Sequence, residues 1–395
     1  MSPTLIIVLL SMLLGIQPVA TDLYLPALPA IKTEFAADLS QVQLTLSALL
    51  LAFGTSQLVW GPLSDRFGRR PILLCGLATF TLAGLGCVLA SSMHELIVWR
   101  ALQGAAMGAV VMCARAIVRD LYTPETGAGV MSKALTGLAI LACASAPLGS
   151  LLTDVWSWHA ALGLVMGMGA ITLGLVAWKF KETLHRKNPH ALQLKVLAKT
   201  WWRIIRHPTF VAFTCVLVST YGGLFTFLAS SSFVFINLLG LSRWQYGLLL
   251  FSMAFTYLLG TVLCRRLLVR FGVAHTVAIG GALSLAGGGL MALNAWLGWH
   301  SMVGLMGPFY LFILAHGIHQ PCGQSGSVGP FPKAAGAASA LGGFLMMSAA
   351  FATGLWLGAA KDGSALPMVQ SIAFWSVLTA LSAWFLVLRR GGSRV

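Results

Sequence analysis

The sequence predicts an all-α membrane protein of twelve transmembrane helices in two six-helix, pseudo-symmetric bundles. Three observations carry that prediction. First, the 395-residue chain is 58% hydrophobic and only 9% charged, whereas soluble domains carry about a quarter charged residues. With a mean hydropathy of +0.85, a soluble fold has nowhere to hide so much apolar surface. Second, polar punctuation cuts the chain into twelve apolar runs close to the roughly 20 residues that cross a bilayer. Third, the longest polar stretch falls near the middle of the chain and separates two sets of six.

In chain order the runs are 5–30, 42–60, 72–90, 96–116, 135–155 and 160–178, then 210–236, 246–264, 273–295, 302–322, 335–359 and 367–388. Pro18-Val19-Ala20 loosely resembles a cleavage site, but the first run lacks the positive n-region of a signal peptide and is expected to remain as a span. The expected organisation is an N-terminal bundle at 1–180, a basic cytoplasmic linker at 181–208 and a C-terminal bundle at 209–395. A weak internal repeat supports the division. Arg66-Phe67-Gly68 follows the second run, and Arg270-Phe271-Gly272 follows the eighth, 204 residues later. Repeated halves around a midplane site allow alternating access by rocking. The 43 glycines suit helices that approach closely in lipid.

The net charge of +15 does not point to nucleic acid, because the basic residues sit in short gaps between apolar runs. With the N-terminus inside, 21 of the 25 Lys and Arg fall on the cytoplasmic side, among them Arg186, Lys333, Arg390 and Arg394. Lys32, Arg243 and Lys361 fall outside, and Arg100 lies inside a run. That bias predicts both termini in the cytoplasm. The seven cysteines all lie in apolar runs without a CxxC pair, so neither a zinc site nor a disulfide framework is expected.

Of the ten acids, Glu34, Asp38, Glu95, Asp154 and Asp362 fall outside, and Asp65, Asp120, Glu125 and Glu182 inside. Asp22 alone lies within an apolar run. An ionisable group in lipid is costly and marks a functional site by default. Asp22 is therefore the candidate proton carrier, with Arg100, the basic residue well inside a span, as its expected partner. Two other placements stay open: the first span ends near Asp22 with Pro26 and Pro29 in an outer loop, or Arg100 snorkels outward. His316 and His319 share a helix face and are either a second relay or packed side chains.

The loop between the second and third runs is the most specific signal. Gly61-Pro62-Leu63-Ser64-Asp65-Arg66-Phe67-Gly68-Arg69-Arg70-Pro71 resembles the GxLaDrxGrk signature of the major facilitator superfamily. Its glycines permit a tight turn and close helix contact, and Asp65 supplies a carboxylate able to cap a helix or pair with a cation. The resemblance implies a conformational latch at Gly61, Asp65, Arg66, Gly68 and Arg69, and Arg119-Asp120 after the fourth run suggests a network of Asp65, Arg69 and Asp120. In the second copy Val269 replaces the acid, so no latch is expected there.

Thr21 to Pro29 (TDLYLPALP), Ala116 to Tyr122 (AIVRDLY), and Pro330-Phe331-Pro332 with Ala335 to Ala340 are similar to the Bcr/CflA drug-resistance branch. That branch exports drugs such as bicyclomycin and chloramphenicol-type compounds in exchange for protons, and some relatives export purines or sugars. Arg100-Ala101-Leu102-Gln103-Gly104 is similar to the family's RxxQG motif, which nominates Gln103, with Tyr24, for substrate binding. The antiporter motif departs from its usual form, leaving Gly137, Pro147 and Gly149. A proton-coupled drug exporter in a bacterial inner membrane is the expected function, with a small-molecule substrate and protons as partners, lipid around it, and a monomeric state by family analogy. A metabolite transporter of the same fold and a non-transporting membrane sensor are the alternatives. No Walker A loop, GxSxG or HExxH is present, so neither ATP-driven transport, an enzyme, a cofactor nor a metal is expected.

Overall fold

The computed structural model describes residues 3–122, 124–184, 187, 191–299, 301–331, 334–360 and 362–389. Arg186, Pro332, Lys333, Lys361, Arg390 and Arg394 lie outside the described residues, and Glu125 is described in its backbone only. Among the described residues there is no β-strand. Lipid offers no partner to a backbone N–H or C=O, so a crossing segment must satisfy them within its own helix.

The first crossing, Thr4–Glu34, is 31 residues long and discontinuous. α1 (Pro3–Asp22) ends at Asp22, a single 3₁₀ turn covers Leu25–Ala27, and α2 (Leu28–Glu34) completes the span. Pro26 and Pro29 each fall in the first turn of the element they open, where the missing N–H is tolerated. The placement that put both prolines in an outer loop therefore does not hold: the chain stays helical past them to Glu34. There the indole of Trp158 donates to the Glu34 carboxylate at 2.6 Å.

α3 (Leu39–Phe67), α4 (Arg69–Val88), α5 (Met93–Leu121), α6 (Pro124–Val155) and α7 (Trp158–Lys179) follow. A short helix, α8 (Leu194–Ile205), occupies the basic linker. α9 (Pro208–Ser232) runs into a wider π-helical turn to Leu238. α10 (Arg243–Trp296) is 54 residues long, and Gly272, at φ 72° and ψ 177°, breaks it into two crossings. α11 (Met302–Val328), α12 (Ala335–Ala359) and α13 (Leu366–Leu381) complete the chain, the last extended by a π-helical segment to Leu388. Eleven helices among the described residues are long and apolar enough to cross a membrane, and the break in α10 makes twelve crossings. The loop expected after the eighth run is helical up to Gly272, so Arg265, Arg266 and Arg270 project from helix rather than coil.

Two compact units form, Met1–Leu197 with Arg243–Leu250, and Ala198–Ser242 with Phe251–Val395. In the first, α5 is sandwiched by α3 and α4, α7 packs on α4, and α1 packs on α6. In the second, α9 is the hub for α11, α12 and α13. Its buried centre brings Val216, Cys264, Val277, Ile318 and Cys322 together.

Candidate functional site

Four of the nominated residues, Asp22, Tyr24, Arg100 and Gln103, lie at or against the discontinuity of the first crossing. A helix end leaves its last carbonyls without N–H partners and carries partial negative charge. Arg100 answers both: its Nη2 donates to the Ala20 carbonyl at 2.9 Å, while Nη1 donates to Gln103 Oε1 at 2.8 Å. The guanidinium carbon also lies 4.2 Å from the centroid of the Tyr24 ring, a cation–π contact in surroundings without bulk water. Arg100, Gln103 and Tyr24 are all 0% exposed. An outward-snorkelling Arg100 is thereby ruled out. The Tyr24 hydroxyl lies 2.7 Å from Thr45 Oγ1 on α3, fixing the ring against the guanidinium.

Asp22, partly buried, closes α1 at this break, and Thr21 Oγ1 donates to its Oδ1 at 2.9 Å. The expected Asp22–Arg100 ion pair is not formed. The ion pairs among the described residues include Arg69–Asp65, Arg69–Asp120 and Arg243–Asp154. The reason is local: chain unwinding after Asp22 frees the Ala20 carbonyl, and this, with Gln103 Oε1, takes both terminal nitrogens of the guanidinium. Arg100 Nε and Gln103 Nε2 are buried donors without a hydrogen-bond partner. They are two groups able to receive an acceptor atom.

Two of the antiporter-motif residues, Gly137 and Gly149, line the same crossing from α6. A Cβ on Gly149 would run into the carbonyl of Leu23, and one on Gly137 into the side chain of Ser11. Pro147 lies within α6, which continues through it. Gly104 likewise lies against the Leu49 carbonyl of α3, so the small residue after Gln103 sets how closely α5 approaches.

At the opposite end of α3, the loop motif forms a compact charged knot. Arg69 is 4% exposed. Its Nη1 donates to Asp65 Oδ1 at 2.6 Å and to Ser64 Oγ at 2.7 Å, and its Nε donates to Asp120 Oδ2 at 2.9 Å. Asp65, Arg69 and Asp120 are thus one network, with Thr183 Oγ1 donating to Asp120 at 3.3 Å. Arg66 stands apart, exposed, its guanidinium 5.5 Å from the Phe67 ring. Gly68, at φ 112°, turns the chain between α3 and α4 in a conformation other residues rarely adopt. Gly61 lies beside the Met112 methyl.

Sequence reasoning assigned the helix cap to Asp65 as one option and missed Glu182, which takes that role. The Glu182 carboxylate accepts from the backbone N–H of Arg69 at 2.9 Å and of Arg70 at 3.1 Å, and from the N–H groups of Thr183 and Leu184. Partial burial raises its pKa, but these donors outweigh it and hold the carboxyl below its ordinary value. Its being the lone acid between Lys179 and Pro208 was the available signal. In the second copy of the motif, Gly272 also has positive φ, and the Arg270 guanidinium lies 5.2 Å from the Phe271 ring. Val269 is 91% exposed, so the turn recurs without the charged knot.

His316 and His319 point to different neighbours. His316 Nδ1 lies 3.0 Å from Thr220 Oγ1 on α9, and His319 Nε2 lies 3.2 Å from the Val277 carbonyl on α10. Both tie α11 to adjacent helices.

The Major Facilitator Superfamily description matches residues 10–355. The chain belongs to this superfamily of transporters and is not an enzyme. Its relatives fit the Bcr/CflA drug-resistance branch. It is 26% identical to the Bicyclomycin resistance protein homolog of Haemophilus influenzae, over 100% of this chain and 98% of that one. It is 29% identical to Multidrug resistance protein D of Escherichia coli, over 86% and 85%, and 28% identical to the Chloramphenicol resistance protein of Pseudomonas aeruginosa, over 83% and 78%. Among solved structures, a D-xylose-proton symporter superposes with a TM-score of 0.74 at 16% identity, covering 98% of both chains. Human organic anion transporter MFSD10 superposes with a TM-score of 0.68 at 17% identity, covering 98% of this chain and 100% of that one. These two likenesses concern the fold.

Proposed function

We propose that this chain is a proton-coupled exporter of small organic molecules in a bacterial inner membrane, with both termini cytoplasmic. The bundles at 1–180 and 209–395, joined by the linker at 181–208, act as its two rocking halves. The observation that carries the reading is the carboxyl of Asp22 at a helix break inside a 31-residue crossing. A carboxyl at such depth takes or gives a proton as its access to water changes. Arg100 acts by holding the break open rather than by pairing with the acid: its contacts to Ala20 and Gln103 keep α1 from continuing through Leu23. Tyr24 and Gln103, closed off from solvent in this structure, serve substrate in an access state that uncovers them, with an aromatic ring and the unpaired Gln103 Nε2 donor; substrate pockets for drug-like molecules are mostly apolar with a few such polar groups. Each charge moved across the membrane is worth about 2.3 kcal/mol per 100 mV, enough to sustain a useful gradient. Asp65, Arg69 and Asp120 act as the latch of one access state, with Gly61, Arg66 and Gly68 shaping its turn; Gly137, Pro147 and Gly149 adapt α6 to the broken span. The names of the relatives above support drugs as the substrate class.

Asp22→Asn tests the reading. In inverted vesicles carrying the variant, a proton gradient should drive no substrate movement, while membrane insertion and yield stay at wild-type level. Export at the wild-type rate by Asp22→Asn would remove this carboxyl from the coupling.

A further inference from the structure

Helix α8 sorts its side chains into three arcs. At about 100° per residue, Lys195, Lys199 and Arg203, with Arg206 in the turn that directly continues the helix, fall within roughly one quarter of the helical circumference, and all four are exposed. The opposite side turns into the protein, where Ile204 is 1% exposed. Between them lies an apolar arc that nothing covers among the described residues, with Trp202 60% and Ile205 39% exposed. The Arg206 guanidinium lies 4.5 Å from the Trp202 ring centroid, at the seam between the cationic and apolar arcs. There is no acid within Leu194–Ile205, and none of the four cations is in an ion pair among the described residues.

We propose that α8 is a binding site for anionic phospholipid. Trp202 and Ile205 enter the acyl boundary, and Lys195, Lys199, Arg203 and Arg206 hold the phosphates of the headgroups. Three facts select this occupant. Only two residues separate Ile205 from Pro208, where α9 begins its crossing, so the helix is tethered at the membrane surface. Its exposed charge is wholly positive, the complement of an anionic leaflet. An uncovered tryptophan next to a row of cations is the pattern of a helix lying in the interface, ring at headgroup level and cations toward phosphate. The same pairing recurs at the end of α7, where Lys179 Nζ lies 3.5 Å from the centroid of the Trp178 ring.

The test uses the full-length protein in detergent, titrated with phosphatidylglycerol, and read by native mass spectrometry for bound lipid and by thermal unfolding. Wild-type protein should retain phosphatidylglycerol in preference to phosphatidylcholine and unfold at a higher temperature in its presence. Each Lys or Arg changed to Gln at these positions should weaken that binding about fivefold, and high salt should do the same. Trp202→Ser with Ile205→Ser keeps every charge and so preserves insertion of the neighbouring spans; it too should bind the lipid less tightly. Equal retention by wild type and both sets of variants would overturn the proposal. So would glycerophosphoglycerol or inorganic phosphate reproducing the thermal shift, since that would mark a soluble-anion site. Lipid retention is independent of transport, so the Asp22 reading can fail without affecting this one.

Discussion

A carboxylate at the start of a helix meets the unpaired N–H groups of the first turn, and Glu182 meets those of Arg69 and Arg70 together. It thereby ties the segment after α7 to the helix whose first residue anchors Asp65 and Asp120. Because its folded pKa is depressed, its contribution is fully present above the ordinary glutamate range and is lost as the pH falls through the folded value. Glu182→Gln keeps an acceptor oxygen but not the charge. The variant should be less stable than wild type at neutral pH by about 0.5 to 1 kcal/mol. The gap between the two unfolding temperatures should close as the solution is acidified below the carboxylate range. Thermal unfolding of both proteins across pH checks this, and a gap of constant size into acid would mean that the cap owes nothing to charge. At the same scale, Arg100 shows how a buried cation is accommodated without an acid: a helix end, an amide oxygen and an aromatic face share the charge.

At the scale of elements, the first crossing functions as a broken helix because α6 fits against the break. Gly149 is the contact point, since any side chain there would strike the Leu23 carbonyl, a backbone group that cannot swing away. Gly149→Ala should therefore displace the turn carrying Asp22 and Tyr24 and sharply reduce transport; overpacking of this kind costs about 1–3 kcal/mol. Gly167 on α7 has nothing within 4 Å of the added carbon, and Gly167→Ala should transport normally. Measuring both variants at matched membrane levels checks the pair, and equal activity would mean that α6 does not shape the break. How much of this was legible differs by element. The twelve crossings and the Asp65–Arg69 pair follow from hydropathy and a local motif, because each depends on residues near in sequence or on a pattern repeated many times; Asp120, 51 residues from Arg69, joined them only because alternating crossings put the end of the fourth run on the same face. The partners of Arg100 and Glu182 were not legible. A backbone carbonyl at a helix end and N–H groups at another helix start carry no side-chain signature, and which of them a distant charge finds is decided by packing. Likewise α8 was hidden inside a stretch that read only as basic, since its three arcs appear once its residues are wound into a helix.

For the molecule as a whole, the distribution of charge decides orientation. Lys and Arg flanking the spans resist transfer across the membrane, and the bias counts most close to span ends. Arg265, Arg266 and Arg270 cluster just before the break at Gly272, α8 adds three more cations with Arg206 directly after it, and the turn between α3 and α4 contributes Arg66, Arg69 and Arg70. All of these fall on the same side if the crossings alternate, leaving Arg243, at the start of α10, on the other. That side should be the cytoplasm. Alkaline phosphatase, active only outside the cytoplasm, should be active when fused after Gly298, in the turn that follows α10, and inactive when fused after Arg389. A fluorescent protein that matures only inside should give the reverse pattern. Phosphatase activity at Arg389 would invert the molecule and place the latch and α8 on the outer face. The direction of proton entry at Asp22 would then have to be reversed as well.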